Sequence, residues 1–213
     1  LVGDSLIYDL KTVFGFFPPE TMAKQVGLPK PEDEVAYLST HDWSKTKEVD
    51  LTELPVAYFG GPLCLATHRL LMLDSVCYDP NGGAKGAGLI KGTKAVDHGQ
   101  WFFKAHFFQD PVQPGSLGLE ALLQLLQFWL IEENKHHGIA NPGFEPIALG
   151  ERFSWKYRVQ VVPHNREITT LMEIVSHDAD EFGYKVIGKG SLWVDGKRIY
   201  ETTQVGMRVI SVS

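Results

Sequence analysis

Cysteine is scarce: Cys64 and Cys77 are the only two in 213 residues. Two are too few for a disulfide framework, and neither stands in a Cys-x-x-Cys or Cys/His spacing that holds a metal. A reducing, cytoplasmic setting without a bound metal is therefore expected. Positive charge is short as well, with 20 Lys and Arg against 26 Asp and Glu and a net charge of −6. Nonspecific affinity for nucleic acid comes from clustered cations that release counterions, so no nucleic-acid partner is expected. Long apolar runs are also missing. The most apolar stretch, Leu117 to Ile131, is interrupted by Glu120, Gln124 and Gln127. It falls short of the roughly 20 residues that cross a bilayer, which makes it a core helix and argues against a membrane association. The chain opens on Leu1 with no basic and then apolar leader, and is expected to be a piece of something longer.

What is present is a globular composition, 44% hydrophobic and 22% charged, enough for one core and a small appendage. Residues 1–62 read as an arm with one or two short helices. The apolar cluster Val13 to Phe17 is followed there by Phe17-Pro18-Pro19-Glu20 and Leu28-Pro29-Lys30-Pro31-Glu32-Asp33-Glu34. Strand-like runs follow at Leu70 to Val76 and Gly88 to Val96, with the Asn81-Gly82-Gly83 break between them as a hairpin signal. A helix is expected over Leu117 to Asn134, closing on Lys135, His136, His137 and Gly138. Strands are then expected at Ile147 to Glu151, Phe153 to Val162, Glu167 to Ser176, Gly183 to Val194 and Arg198 to Ile210. Pro163-His164-Asn165 and Asp195-Gly196 supply turns. This order is α+β, an antiparallel sheet wrapped around one long central helix. The helix is apolar on nearly every side and so must be enclosed by protein. Glu120, Gln124 and Gln127, spaced i, i+4 and i+7, fall on one narrow stripe of it, and a buried carboxylate there needs a reason.

Just upstream runs Trp101-Phe102-Phe103-Lys104-Ala105-His106-Phe107-Phe108-Gln109-Asp110-Pro111-Val112-Gln113-Pro114-Gly115-Ser116-Leu117-Gly118-Leu119-Glu120. This stretch resembles the bacterial β-hydroxyacyl-acyl-carrier-protein dehydratases of the hotdog fold. The likeness is strongest to the β-hydroxydecanoyl branch, whose signature is His-Phe-x-x-Asp-Pro-Val-x-Pro-Gly-x-Leu-Gly. It extends upstream through Leu70-Leu71-Met72-Leu73-Asp74 and downstream through Trp193-Val194-Asp195-Gly196-Lys197-Arg198-Ile199-Tyr200. Among such proteins the chain looks most like dehydratase domains of polyunsaturated fatty acid synthases and related polyketide assembly lines. The resemblance implies a hotdog domain over residues 63–213 and a lyase needing no cofactor, its substrate carried on the phosphopantetheine of an acyl carrier protein. It also implies a two-unit site, as a homodimer or by pairing with another hotdog domain, in which the acid facing each histidine comes from the partner. Carried over by position, His106 is the catalytic histidine and Glu120 its acidic partner, with Gln124 holding the acid. The Gly115 backbone N–H would bind the thioester oxygen, beside Ser116, and the Val112 carbonyl would orient the imidazole. The decanoyl branch has Asp where this chain has Glu120, so acyl length and double-bond isomerisation are left open.

The chemistry fits those residue types independently. Dehydration of a β-hydroxyacyl thioester needs a base at the α-carbon, an acid at the β-hydroxyl and a donor for charge building on the carbonyl oxygen. A neutral imidazole is a competent base at neutral pH, and a carboxyl enclosed by apolar groups a competent acid. A glycine at a helix start lets a thioester approach free N–H groups at the positive end of the helix dipole. Alternatives remain. Glu120 alone could be a structural ion-pair member. Ser116 lacks a Gly-x-Ser-x-Gly elbow and reads as an N-cap more than a nucleophile. His136 and His137 read as cations in the last helical turn and not as metal ligands. Cys64, Cys77, His41, His68, His98, His164 and His177 read as packing or surface residues, and the glycines from 82 to 92 as a turn. A thioesterase on the same fold and an inactive scaffold within a synthase are the rival functions. The segment Ser176 to Lys185 carries Asp178, Asp180 and Glu181, where standalone members of the family carry basic residues. Weak binding of a free carrier protein is therefore expected, with the carrier tethered in the same assembly.

Overall fold

In the computed structural model, which describes residues 24–212 together with Leu6, Phe17, Pro18, Glu20 and Thr21, helix α1 (Glu32–Ser39), strand β1 (Lys47–Asp50) and the short helix α2 (Val56–Phe59) lie upstream of residue 63. Strands β2 (Ser75–Asp79) and β3 (Leu89–Ala95) follow, then helices α3 (Trp101–Ala105) and α4 (Gly115–Glu132). The chain finishes with β4 (Pro142–Phe144), β5 (Ser154–Tyr157), β6 (Glu167–Ala179), β7 (Gly183–Val194) and β8 (Lys197–Ser211). Apart from Phe17, the apolar cluster at 13–17 lies outside the described residues. All strand pairs are antiparallel, in one sheet of order β1-β2-β3-β6-β7-β8-β4 with β5 also paired to β8.

The sheet curls around α4, which packs on β3, β6, β7 and β8. Twelve of the eighteen α4 residues are buried, so the helix has no solvated face and the hotdog arrangement expected from the sequence is present. At Asp195-Gly196 both residues have positive φ, 48° and 75°, the geometry of a two-residue hairpin whose twist matches its strands. That turn sets the long β7–β8 register from Val194↔Lys197 onward.

Several segments differ from the sequence expectation. Leu70 to Val76 is not a strand throughout: a 3₁₀ turn occupies His68–Leu70 and the strand starts only at Ser75. Gln124 takes the backbone groups concerned, donating to Leu70 O (2.6 Å) and accepting from Met72 N–H (2.8 Å). Ile147 to Glu151 makes no strand. Its backbone turns on Glu145, whose carboxylate accepts from Leu149 N–H (3.1 Å), and the strand lies earlier, at Pro142–Phe144. Of Phe153 to Val162 only Ser154–Tyr157 pairs with the sheet, and Val159 sits at φ 70°. The central helix ends at Glu132. Asn134, at φ 53°, stops it, so His136 and His137 lie in the turn beyond and not in the last helical turn.

Upstream of residue 63, β1 pairs with β2, so the sheet itself extends into the stretch read as an arm. Helix α1 is clamped to the outer face of the sheet. Arg198, 2% exposed, forms a two-pronged bond to Glu34 (2.7 Å each) and reaches Glu201 (2.8 Å). A cavity of about 250 Å³ beneath α1 is lined by these charges and by Lys189, itself paired with Glu173 (3.1 Å) and Asp33 (3.6 Å).

Candidate active site

His106 closes helix α3, which the sequence reading did not foresee; its backbone N–H donates to Phe102 O (2.8 Å). The chain then makes a tight loop, Phe107 and Asp110 exchanging backbone hydrogen bonds of 2.9 and 3.2 Å, and the His106–Phe107 peptide bond is cis. The loop brings Val112 back alongside His106. Val112 N–H donates to His106 O (2.8 Å), and His106 Nδ1 lies 3.1 Å from Val112 O. A carbonyl oxygen only accepts, so this contact places a proton on Nδ1, and in the neutral imidazole the lone pair is then on Nε2. Gln113 N–H donates to Val161 O (2.9 Å), which ties the loop to the chain beyond β5.

Pro114 is the N-cap residue of α4, and no side chain caps that end. Ser116 is therefore not the N-cap: it stands inside the first turn and is exposed. The first N–H groups of a helix have no carbonyl one turn earlier to bond, so those of Gly115 and Ser116 are available to an oxyanion at the positive end of the dipole. A cavity of about 270 Å³ opens here, lined by His106, Val112, Gly115 and Ser116 together with Phe107, Trp155, Tyr157 and Tyr200.

Three of those lining side chains were not singled out as site residues. Trp155 stacks on Tyr157 with centroids 5.5 Å apart, and Tyr200 meets both edge-on at 5.7 and 5.4 Å. Tyr200 is 3% exposed, and its hydroxyl donates to Gly115 O (3.2 Å). Burial, and then the nearby Tyr157, push the Tyr200 hydroxyl well above the usual phenol range, so it stays a donor. The sequence signal for this aromatic wall is Gly118, where a Cβ would come 2.7 Å from Tyr200 Cζ and 2.8 Å from its oxygen. A glycine inside an otherwise bulky core helix marks the close approach of another group.

Glu120 is one helical turn deeper than Ser116 and is not among the cavity-lining residues. Its Oε1 accepts from Gln124 Nε2 (2.9 Å). Gln124 is fully buried, and its contacts with Leu70, Met72 and Glu120 fix the carboxylate's orientation. Glu120 itself is only half-buried. The apolar enclosure expected around it is thus not completed by the described residues. The structure therefore gathers His106, Val112, Gly115 and Ser116 in one place and holds Glu120 with Gln124 in another. Among the described residues, no three His, Cys, Asp or Glu side chains gather as metal ligands would, and no helix is long and apolar enough to cross a membrane.

A family model described as a FabA-like domain matches residues 65–203. A component of the polyunsaturated fatty acid synthase of Thraustochytrium sp. (strain ATCC 26185 / S-3) is 31% identical over 225 residues, an overlap that takes in 99% of this chain and 15% of that protein. The chain thus spans about 15% of the length of this curated relative. Among solved structures, the dehydratase heterocomplex ApeI:P from Xenorhabdus doucetiae aligns with a TM-score of 0.46 at 14% identity, over 67% of this chain and 85% of that one. A probable thioesterase from Bartonella henselae aligns with a TM-score of 0.41 at 10% identity, over 57% of this chain and 89% of that one.

Proposed function

This chain belongs to the FabA-like family, and from that premise we propose that it removes water from β-hydroxyacyl thioesters carried by an acyl carrier protein, giving the trans-2-enoyl product in fatty-acid or polyketide synthesis. The observation that carries the reading is the Nδ1 contact of His106 with Val112 O (3.1 Å), which leaves Nε2 as a base in the cavity that holds the start of α4. Nε2 takes the α-proton, and the C–H electron pair forms the new double bond as the β C–O bond breaks. Glu120 gives its proton to the departing hydroxyl, which leaves as water. Charge that builds on the thioester oxygen meets the N–H groups of Gly115 and Ser116. One such donor is typically worth about a hundred- to a thousandfold in rate. To reset the site His106 gives up the α-proton and Glu120 takes up one in exchange with solvent, and no cofactor enters the balance.

Glu120 is half-buried and outside the cavity that His106 lines, which supports a site shared between two hotdog units. A homodimer with a two-fold axis is the simplest arrangement, and another hotdog domain of a longer assembly is the other. The exposed rings of Phe107 (58%) and Phe108 (89%) beside His106 fit a surface that a second unit covers. The test is incubation with β-hydroxyacyl thioesters of several chain lengths. Loss of one water by mass, with the thioester intact, is expected. Release of free thiol without water loss would replace the reading with a thioesterase, and no reaction across the series would leave a scaffold.

A further inference from the structure

We propose that Tyr200 is a positioning residue for the oxyanion-binding turn of α4, its hydroxyl holding the Gly115–Ser116 peptide so that the Ser116 N–H, beside that of Gly115, faces the thioester oxygen. The inference rests on the dehydratase reading and names a residue which that reading does not need. In a trans peptide the C=O and the following N–H point in opposite directions, so a grip on Gly115 O also sets the direction of Ser116 N–H. The hydroxyl of Tyr200 makes that grip at 3.2 Å, from the sheet side of the helix. A donor on the carbonyl also polarises the same peptide unit and strengthens what its N–H gives.

The ring is placed to do this and little else. It lies against the backbone of α4 at Gly118, where any side chain would collide with it, and it is backed by Trp155 and Tyr157 at 5.7 and 5.4 Å. The strand that carries it is anchored two residues earlier by Arg198, bonded to Glu34 (2.7 Å) and Glu201 (2.8 Å) on the opposite face of the sheet. The first turn of α4 has no side-chain cap. Tyr200 does not replace such a cap, which would accept from the free N–H groups; it holds the carbonyl side of the first turn and leaves those N–H groups open.

Tyr200→Phe keeps the ring and deletes the donor. With a β-hydroxyacyl pantetheine thioester as substrate, kcat is expected to fall about tenfold while KM stays within about twofold, since the lost order matters most as charge develops. The thermal midpoint should stay close to that of the wild type, and the Ser116 amide proton should shift in the NMR spectrum while amides in the second half of α4 do not. An unchanged kcat, or a loss confined to KM, overturns the inference. Should Tyr200→Phe fail to fold, Gly118→Ala takes its place: it displaces the ring without removing the hydroxyl and should show the same kcat loss, and a normal kcat there overturns the inference equally. A wild type that dehydrates no β-hydroxyacyl thioester overturns the functional reading and this inference together. A wild type that dehydrates and a His106→Ala variant that does not, beside a Tyr200→Phe variant of normal kcat, overturn this inference alone.

Discussion

At the C-terminal end of α4, Glu132 accepts from Tyr58 (2.6 Å) and from Lys47 (2.7 and 2.8 Å), and Glu133 accepts from Tyr78 (2.9 Å). At the N-terminal end, Glu120 accepts one hydrogen bond among the described residues, from the Gln124 amide at 2.9 Å, and the helix start has no side-chain cap. Both ends belong to one helix in one core, yet among the described residues only the C-terminal carboxylates are met by donors from other elements. Glu132 and Glu133 are as half-buried as Glu120, so the contrast lies in the partners: donors from distant elements tie the first two to the fold, and a buried amide one turn along the same helix orients the third. The difference fits the proposal that the N-terminal, open end is one part of a shared site, while the C-terminal, closed end is a clasp.

The largest effect expected from this contrast is catalytic and confined to the open end. His106→Ala should lose essentially all dehydration, on the order of a thousandfold or more, and Glu120→Gln most of it, in line with the usual contribution of a general acid or base. Both should keep the wild-type thermal midpoint. A His106→Ala protein with near wild-type turnover would sink the mechanism.

The closed end should answer in stability instead. Tyr58→Phe and Tyr78→Phe each remove a hydrogen bond to a carboxylate, and urea denaturation should show a loss of about 1–2 kcal/mol apiece with kcat unchanged. A fall in kcat without a fall in stability would erase the distinction between the ends.

Alkaline pH should loosen the clasp. Burial, then the Glu132 bond for Tyr58 and the Glu133 bond for Tyr78, raise both hydroxyls above their ordinary value of 10.0. The folded state thus holds these protons more tightly than the unfolded chain. Their contribution is fully present below the unfolded value, and it is lost as pH rises from about 10 through the higher folded value. The double Tyr58→Phe, Tyr78→Phe variant should show a flatter stability curve above pH 10, and an unchanged slope would contradict the assignment.

The smallest effect is expected in carrier binding. The end of β6 and the β6–β7 turn carry Asp178, Asp180 and Glu181, and Asp180 is already engaged by Arg208 (3.0 Å). Titration with an isolated acidic carrier protein should show weak binding. Tight, salt-sensitive binding would contradict the picture of a tethered carrier.

The long strands and the central helix were more legible in the sequence than the sheet margins. Gly183 to Val194 and Arg198 to Ile210 were legible because β-branched and aromatic runs and an Asp-Gly turn act locally. The Pro-Gly helix start and the apolar run after it were legible for the same reason. Leu70 to Val76 was misread because its hydrogen-bond partner, Gln124, lies more than fifty residues away, and Ile147 to Glu151 because its backbone turns on the Glu145 carboxylate. In the site, His106, Val112 and Gly115 sit within one short motif. Trp155, Tyr157 and Tyr200 arrive from two separate strands, and only the bare backbone at Gly118 hinted at them.

The claim that the open end of α4 is half of a shared site is tested most directly by complementation. His106→Ala and Glu120→Gln proteins, each inactive alone, are mixed under conditions of protomer exchange and assayed for water loss. If each site takes its histidine from one unit and its acid from the other, every mixed dimer holds one intact site and one with neither group. Activity should then recover to roughly a quarter of wild type when half of all dimers are mixed. No recovery, with exchange demonstrated by mass spectrometry of differently tagged chains, would contradict the homodimeric site and leave both residues acting within one chain or with a different hotdog domain.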